Sequence, residues 1–439
     1  MANLVGPQSD SDKRKSVKAA LAKKLGFSKK SDTDPNVPPR YYRFDEYPEY
    51  KAIKQKQQIA DKLHIRNPFF NVHEQVANED TVIEGRHLVN YAGYNYLGMS
   101  GDPTVNKAAM DAIERYGTSV SASRIMAGEK PLHRELEAAL ADLCGVDDCH
   151  VFVGGFGTNV TTIGHLFGPK DLIIHDALIH NSILQGCILS GARRIMLPHN
   201  DYNAMEKILG KERMDYERVL IVTEGVYGMD GDIPDLARLI EIKRRFKTFL
   251  MVDEAHSMGV IGVQGKGIGQ HFGIDPKEVD IWMGTLSKSF ASCGGYIAGE
   301  RALIEYLKYT VPGSVYSVGI SPPNAAAALA AIELMLAEPE RLERLRKRSG
   351  LFLDLAKAEG LNTGLSGNTP IVPVIIGSSL QTVRLAEALF DRGINVQAIL
   401  HPGVEEKATR LRFFLSCRHT EEQIRATVST VAELYRSPS

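Results

Sequence analysis

The chain lacks the features that mark several protein classes. Its five cysteines, Cys144, Cys149, Cys187, Cys293 and Cys417, form no CxxC pair and no even-numbered framework. That argues against a disulfide scaffold or a zinc site and for reduced thiols in a cytoplasm. The formal net charge is only −1, so neither nucleic acid nor a membrane surface is expected as the main partner. The longest apolar run, residues 325–337, is interrupted by Glu333 and is too short to span a bilayer. The N-terminus carries no apolar signal core. A GxxxxGK(S/T) loop is also missing, so Asp253-Glu-Ala-His256, which spells the acidic box of a helicase, does not read as nucleotide chemistry. The glycines of 259–269 are spaced GxGxG rather than GxGxxG and do not open a first strand–helix unit, which excludes a dinucleotide loop. These absences leave a soluble cytoplasmic protein without a metal centre as the expectation.

At 439 residues, with 44% hydrophobic and 24% charged residues, the chain is long enough for two domains, or for one large domain with a smaller appendage. Residues 1–45 are basic and broken by Pro35, Pro38 and Pro39. They read as a flexible extension in which 16–25 could form a short helix. An N-terminal segment, 46–95, follows. Short apolar runs then stand at 149–153, 171–174, 194–197, 218–222, 249–252, 281–283 and 296–298, with helix-period segments between many of them, such as 131–143 and 235–245. Near-continuous apolar strands alternating with helices predict an α/β fold with a mostly parallel sheet covered on both faces. We place this large domain at 96–320. Residues 321–439 begin with an alanine-rich helix and the charged helix 338–348. They continue through 371–375, 380–392 and 410–414 as a smaller α+β domain.

In parallel sheets chemistry collects at the carboxyl ends of the strands. Asp253 ends one apolar run there, and Lys288 follows another within Thr285-Leu-Ser-Lys288. A lone lysine in a polar loop is ordinarily a surface residue. A buried amine flanked by hydroxyls and glycines and paired with a strand-end aspartate is instead what pyridoxal phosphate (PLP) chemistry requires. The lysine forms a Schiff base with the cofactor aldehyde, and the aspartate keeps the pyridine nitrogen protonated. Gly154-Gly-Phe-Gly-Thr-Asn159 stands between a strand and helix-like sequence, where small residues let backbone N–H groups approach a phosphate. His180 follows another strand, where its ring could stack on the pyridine. Thr285 and Ser287 offer hydroxyls to the phosphate or the lysine. Arg412, on a late strand of the smaller domain, suits a substrate carboxylate.

These segments, with Tyr94-Asn-Tyr-Leu-Gly98, Gly225-Val-Tyr-Gly-Met-Asp-Gly-Asp232, Arg410-Leu-Arg412 and His419, resemble the α-oxoamine synthases. That group of fold-type-I PLP enzymes includes aminooxononanoate synthase, aminoketobutyrate CoA ligase, aminolevulinate synthase and serine palmitoyltransferase. The resemblance implies Lys288 as the Schiff-base lysine, Asp253 as the pyridinium partner, His180 as the stacking ring, and His256 as a hydrogen bond to the phenolic oxygen. It further implies Gly155, Phe156, Gly157 and Thr285 as cofactor contacts, and Asn95 and Arg412 as receivers of the substrate carboxylate. A homodimer with active sites at the interface is expected, with Ser317 supplying a phosphate contact from the neighbouring subunit. The implied reaction is a decarboxylative condensation of an amino acid, alanine favoured, with an acyl thioester of coenzyme A or an acyl-carrier protein. It gives an α-amino ketone, CO2 and free thiol. Departures from the family pattern lie at Ser119 and Ser121, which replace glycines, at Gly228, which replaces a serine, and after Ser317. With the N-terminal extension they resemble members tied to polyketide or other secondary metabolism. The alternatives are another fold-type-I PLP enzyme, an aminotransferase or a lyase, and a non-catalytic partner subunit of the same fold.

Overall fold

A computed structural model describes residues 37–436; the helix expected at 16–25 lies outside the described residues. The described residues divide into two compact units at the junction of Arg66 and Asn67. In the first, two single 3-10 turns, Pro39–Tyr41 and Phe44–Glu46, precede the helix Pro48–Lys62.

The second unit opens with a hairpin, β1 (Asp80–Ile83) and β2 (Arg86–Asn90). Its main sheet contains β3 (Asp148–Phe152), β4 (Leu172–Asp176), β5 (Arg193–Leu197), β6 (Val219–Glu224), β7 (Phe249–Asp253), β8 (Ile281–Thr285) and β9 (Gly295–Gly299). Each coincides with one of the apolar runs. The strand order is β3-β9-β8-β7-β6-β4-β5, and every pairing is parallel except the two made by β9. The link from β8 to β9 is too short for a crossover helix, so β9 must return antiparallel.

Alternate residues of one strand feed opposite faces. Leu172, Ile174, Val219, Ile221, Leu250 and Val252 join one apolar cluster, with Leu136 and Leu140 of the helix Pro131–Cys144 and Leu239 of the helix Leu236–Phe246. Ile173, Leu220, Val222 and Met251 join another, with Ile163 and Ile183 from the helices Gly155–Leu166 and Asn181–Ser190. Burying each such side chain contributes about 2 kcal/mol, which makes both faces dry and the strand ends the natural place for polar groups.

A second sheet joins β10 (Ile371–Ile375), β12 (Gln397–Ile399) and β13 (Arg410–Phe414) in the order β10-β13-β12, and β11 (Ile394–Asn395) pairs with β2. The charged helix expected at 338–348 extends over Pro339–Ala358, because Leu345, Phe352, Leu353 and Ala356 continue its buried face past Gly350. No helix among the described residues is long and apolar enough to cross a membrane.

Candidate active site

Three strands of the main sheet end in polar residues that face one another. β7 ends at Asp253, which is buried and lies in register with Glu224 at the end of β6. Asp253 Oδ2 accepts a 2.8 Å hydrogen bond from Asn159 Nδ2, and its Oδ1 accepts one of 2.9 Å from the backbone N–H of Ala255. Asn159 Nδ2 also reaches Ser182 Oγ at 2.9 Å, while its Oδ1 is buried without a partner among the described residues. The carboxylate is thus held from two sides at a fixed height above the sheet.

Lys288 lies beyond the third strand, β8, with Nζ 5.6 Å from the centre of the Tyr94 ring. Burial lowers its amine to about 8, although Asp253 and Glu224 pull upward. Burial, with the neighbouring Asp253, raises the Glu224 carboxyl to about 8. An amine and a carboxylic acid that both exchange protons near neutrality are the arrangement general acid–base chemistry uses.

The helix Gly155–Leu166 starts directly after β3, with Gly154 before it in extended backbone. A Cβ on Gly155 would lie 2.8 Å from Thr285 Oγ1, so only glycine lets the helix start sit against the end of β8. Thr285 Oγ1 is 2.9 Å from Ser287 Oγ and donates to the carbonyl of Gly294 at 3.1 Å. Beyond its own helix turn, no atom of the described residues stands within 4 Å of where a Cβ of Gly157 would be. The first turn therefore presents the free N–H groups of Gly155, Phe156 and Gly157 beside two hydroxyls. His180 caps the helix Asn181–Ser190, with Nδ1 2.7 Å from Ser182 Oγ. Its exposed ring stands edge-on to Phe156, at 6.4 Å between centres. Although one side of the ring is open, the protein packed around it strips away part of its water, and this with the positive Lys288 lowers its pKa, against the pull of Asp253.

On the other side, His256 is buried with Nδ1 2.8 Å from the Tyr96 hydroxyl. Burial, Lys288 and Arg412 hold its pKa well below the usual value. Arg412, on β13, donates to the carbonyl of Gly228 at 2.9 Å and lies 4.7 Å over the Phe414 ring, while its Nε is buried without a partner among the described residues. The structure therefore gathers Lys288, Asp253, His180, His256 and Arg412 into one electrostatically linked group, with Gly155, Phe156, Gly157 and Thr285 at its edge.

Asn95 and Ser317 make their own hydrogen bonds to residues outside this group. The Asn95 side chain bonds to Asn78 and to the backbone of Ser100. Ser317 hydrogen-bonds through its backbone to Ser314. Four residues of the site were not singled out from the sequence: Glu224, Asn159, Tyr94 and Tyr96. Asn159 and both tyrosines lie inside motifs quoted above, and Glu224 ends an apolar run as Asp253 does, a signal that was available.

Residues 86–431 match the aminotransferase class I and II family. The chain is 39% identical to the 8-amino-7-oxononanoate synthase of Fervidobacterium nodosum over 347 residues, which covers 78% of this chain and 87% of that one. It is 34% identical to the serine palmitoyltransferase of Sphingobacterium spiritivorum over 368 residues, covering 84% and 92%. Among solved structures, a serine palmitoyltransferase variant from S. paucimobilis with a bound PLP–myriocin aldimine superposes with a TM-score of 0.85 at 29% identity, covering 89% of this chain and 98% of that one. The chain belongs to the aminotransferase class I and II family, on its α-oxoamine synthase branch, whose members are PLP-dependent acyltransferases.

Proposed function

We propose that this chain condenses an amino acid with an acyl thioester, releasing the amino acid's carboxylate as CO2 and the thiol, to leave an α-amino ketone. One proton is taken up overall. The observation that supports this most is the Lys288 amine, lowered to about 8, beside a buried aspartate anchored by Asn159.

The residues present fit PLP. The free N–H groups at Gly155, Phe156 and Gly157, with Thr285 and Ser287, suit a phosphate; Asp253 suits a pyridinium nitrogen; and His180 offers an exposed ring for stacking. When bound, PLP supplies an electron sink for negative charge at the substrate α-carbon. Lys288 Nζ holds the amine that would take the α-proton and return a proton later. Arg412, whose Nε lacks a partner, would receive the substrate carboxylate, with Asn95 as its proposed second contact. His256 would serve as a neutral hydrogen-bonding group, because its environment disfavours the charged form.

Alanine is the first amino acid proposed. Serine is the second, since one relative is named serine palmitoyltransferase. The donor is an acyl-CoA or an acyl-carrier protein. We further propose a cytoplasmic homodimer with Ser317 contributing across the interface, and residues 96–320 as the cofactor-holding domain beside 321–439. The test supplies PLP-loaded protein with each amino acid and an acyl thioester, then measures CO2 and thiol. Equal release of both with one amino acid is expected. Amino-group transfer without thiol release points to an aminotransferase, and no colour with PLP points to a non-catalytic subunit.

A further inference from the structure

The Tyr96–His256 pair is not explained by the chemistry above. Tyr96 is fully buried, and among the described residues His256 Nδ1 is the only hydrogen-bond partner of its hydroxyl. Two proton placements would satisfy the 2.8 Å separation. If Nδ1 donated, the hydroxyl proton would face packed interior without an acceptor, which is costly for a buried group. If the hydroxyl donates, Nδ1 accepts, and a neutral ring must carry its proton on Nε2. Burial keeps Tyr96 protonated, and burial with Lys288 and Arg412 keeps His256 neutral.

Gly228 supplies the room this ring position needs. A Cβ there would lie 2.5 Å from His256 Nε2 and 2.8 Å from its Cδ2. The backbone at Gly228 is not left-handed, so the requirement is for space rather than for an unusual φ. The same residue's carbonyl accepts from Arg412, which fixes the loop against β13.

We propose that Tyr96 is a positioning residue that locks His256 in its Nε2–H tautomer, and that Gly228 is the small residue that admits the ring in this position. The site then offers a donor and no acceptor at Nε2. The ligand atom received there is an oxygen acceptor, a carbonyl or a phenolate, and not an ammonium. This rests on His256 belonging to the proposed active site, but not on which amino acid or thioester is used.

The experiment is nitrogen NMR of the full chain without cofactor, with ring-labelled histidine and His256 assigned by His256→Gln. The wild type is expected to show Nε2–H at neutral pH. Tyr96→Phe is expected to lose the single tautomer and give Nδ1–H or a mixture. Gly228→Ala is expected to shift the ring signals as the Cβ displaces the imidazole from Tyr96. Nδ1–H or a doubly protonated ring in the wild type overturns the proposal, as does an unchanged tautomer in Tyr96→Phe; wild-type signals in Gly228→Ala overturn the part assigned to Gly228. Should Tyr96→Phe fail to fold, the wild-type spectrum and Gly228→Ala still decide. Because no cofactor or substrate is present, a failed condensation assay would sink the proposed function and leave this result standing.

Discussion

His199 is ion-paired through both ring nitrogens, between two carboxylates. Its Nδ1 is 2.9 Å from Asp176 Oδ1 and its Nε2 is 2.7 Å from Asp232 Oδ2, while Arg410 pairs with Asp230 at 2.7 Å. Burial works against charge at His199, but the two carboxylates outweigh it and raise the imidazole to about 10. Around Lys288, at the carboxyl ends of the same sheet, no such closing ion pair exists among the described residues. The amine is pushed down, Glu224 is pushed up, His256 is held neutral, and Arg412 Nε has no partner. Two clusters of similar composition, both at least partly buried, thus differ in whether their ionisable groups are ion-paired with one another. A closed, paired cluster stabilises the fold. An open one holds groups whose protonation a ligand can change, which is where chemistry is expected.

If that distinction is right, the largest effect on catalysis belongs to the open cluster. Lys288→Ala should lower condensation by at least about 10⁴-fold, since both the attachment of cofactor and the acid–base step are lost. Thiol release above that level would remove Lys288 from the centre of the account. Asp253→Asn should cost about 10²–10³-fold while the protein still binds PLP; a spectrum without bound cofactor would instead make Asp253 a structural residue.

The closed cluster should behave in the opposite way. His199→Gln leaves Asp176 and Asp232 facing each other and should destabilise the fold by about 3 kcal/mol, with far less loss of turnover per folded molecule than Lys288→Ala. Thermal melting checks the first part. Because the folded pKa of His199 is raised from 6.5 to about 10, its stabilisation is full below 6.5 and is lost as pH rises through about 10. Wild-type stability should therefore fall across that window more than that of His199→Gln. The smallest effect concerns Lys288 itself. Capture of PLP by cofactor-free protein should slow by about tenfold per pH unit below about 8, where the amine becomes protonated. A rate that keeps climbing tenfold per unit up to about pH 10 would mean that the amine is not depressed.

The fold was largely legible because buried parallel strands are short apolar runs, and all seven of the main sheet can be read that way. The direction of β9 carries no compositional signal and follows only from the shortness of the link before it. Within the site, Lys288 and Asp253 stand out because a strand end and a small-residue loop can be seen in one dimension. Glu224 could have been found by the same rule. The Asn159–Asp253 and Tyr96–His256 hydrogen bonds join residues 94 and 160 positions apart, and no spacing pattern encodes such contacts. The bonds of Asn95 to Asn78 and Ser100 are likewise set by a loop whose path has no period to read.

The most direct test of the central claim is borohydride reduction of the full chain with PLP bound, followed by peptide mapping. A pyridoxyl group on Lys288 alone is the predicted result. A label on another lysine, or no stable label, would contradict the assignment of the open cluster as the reactive centre.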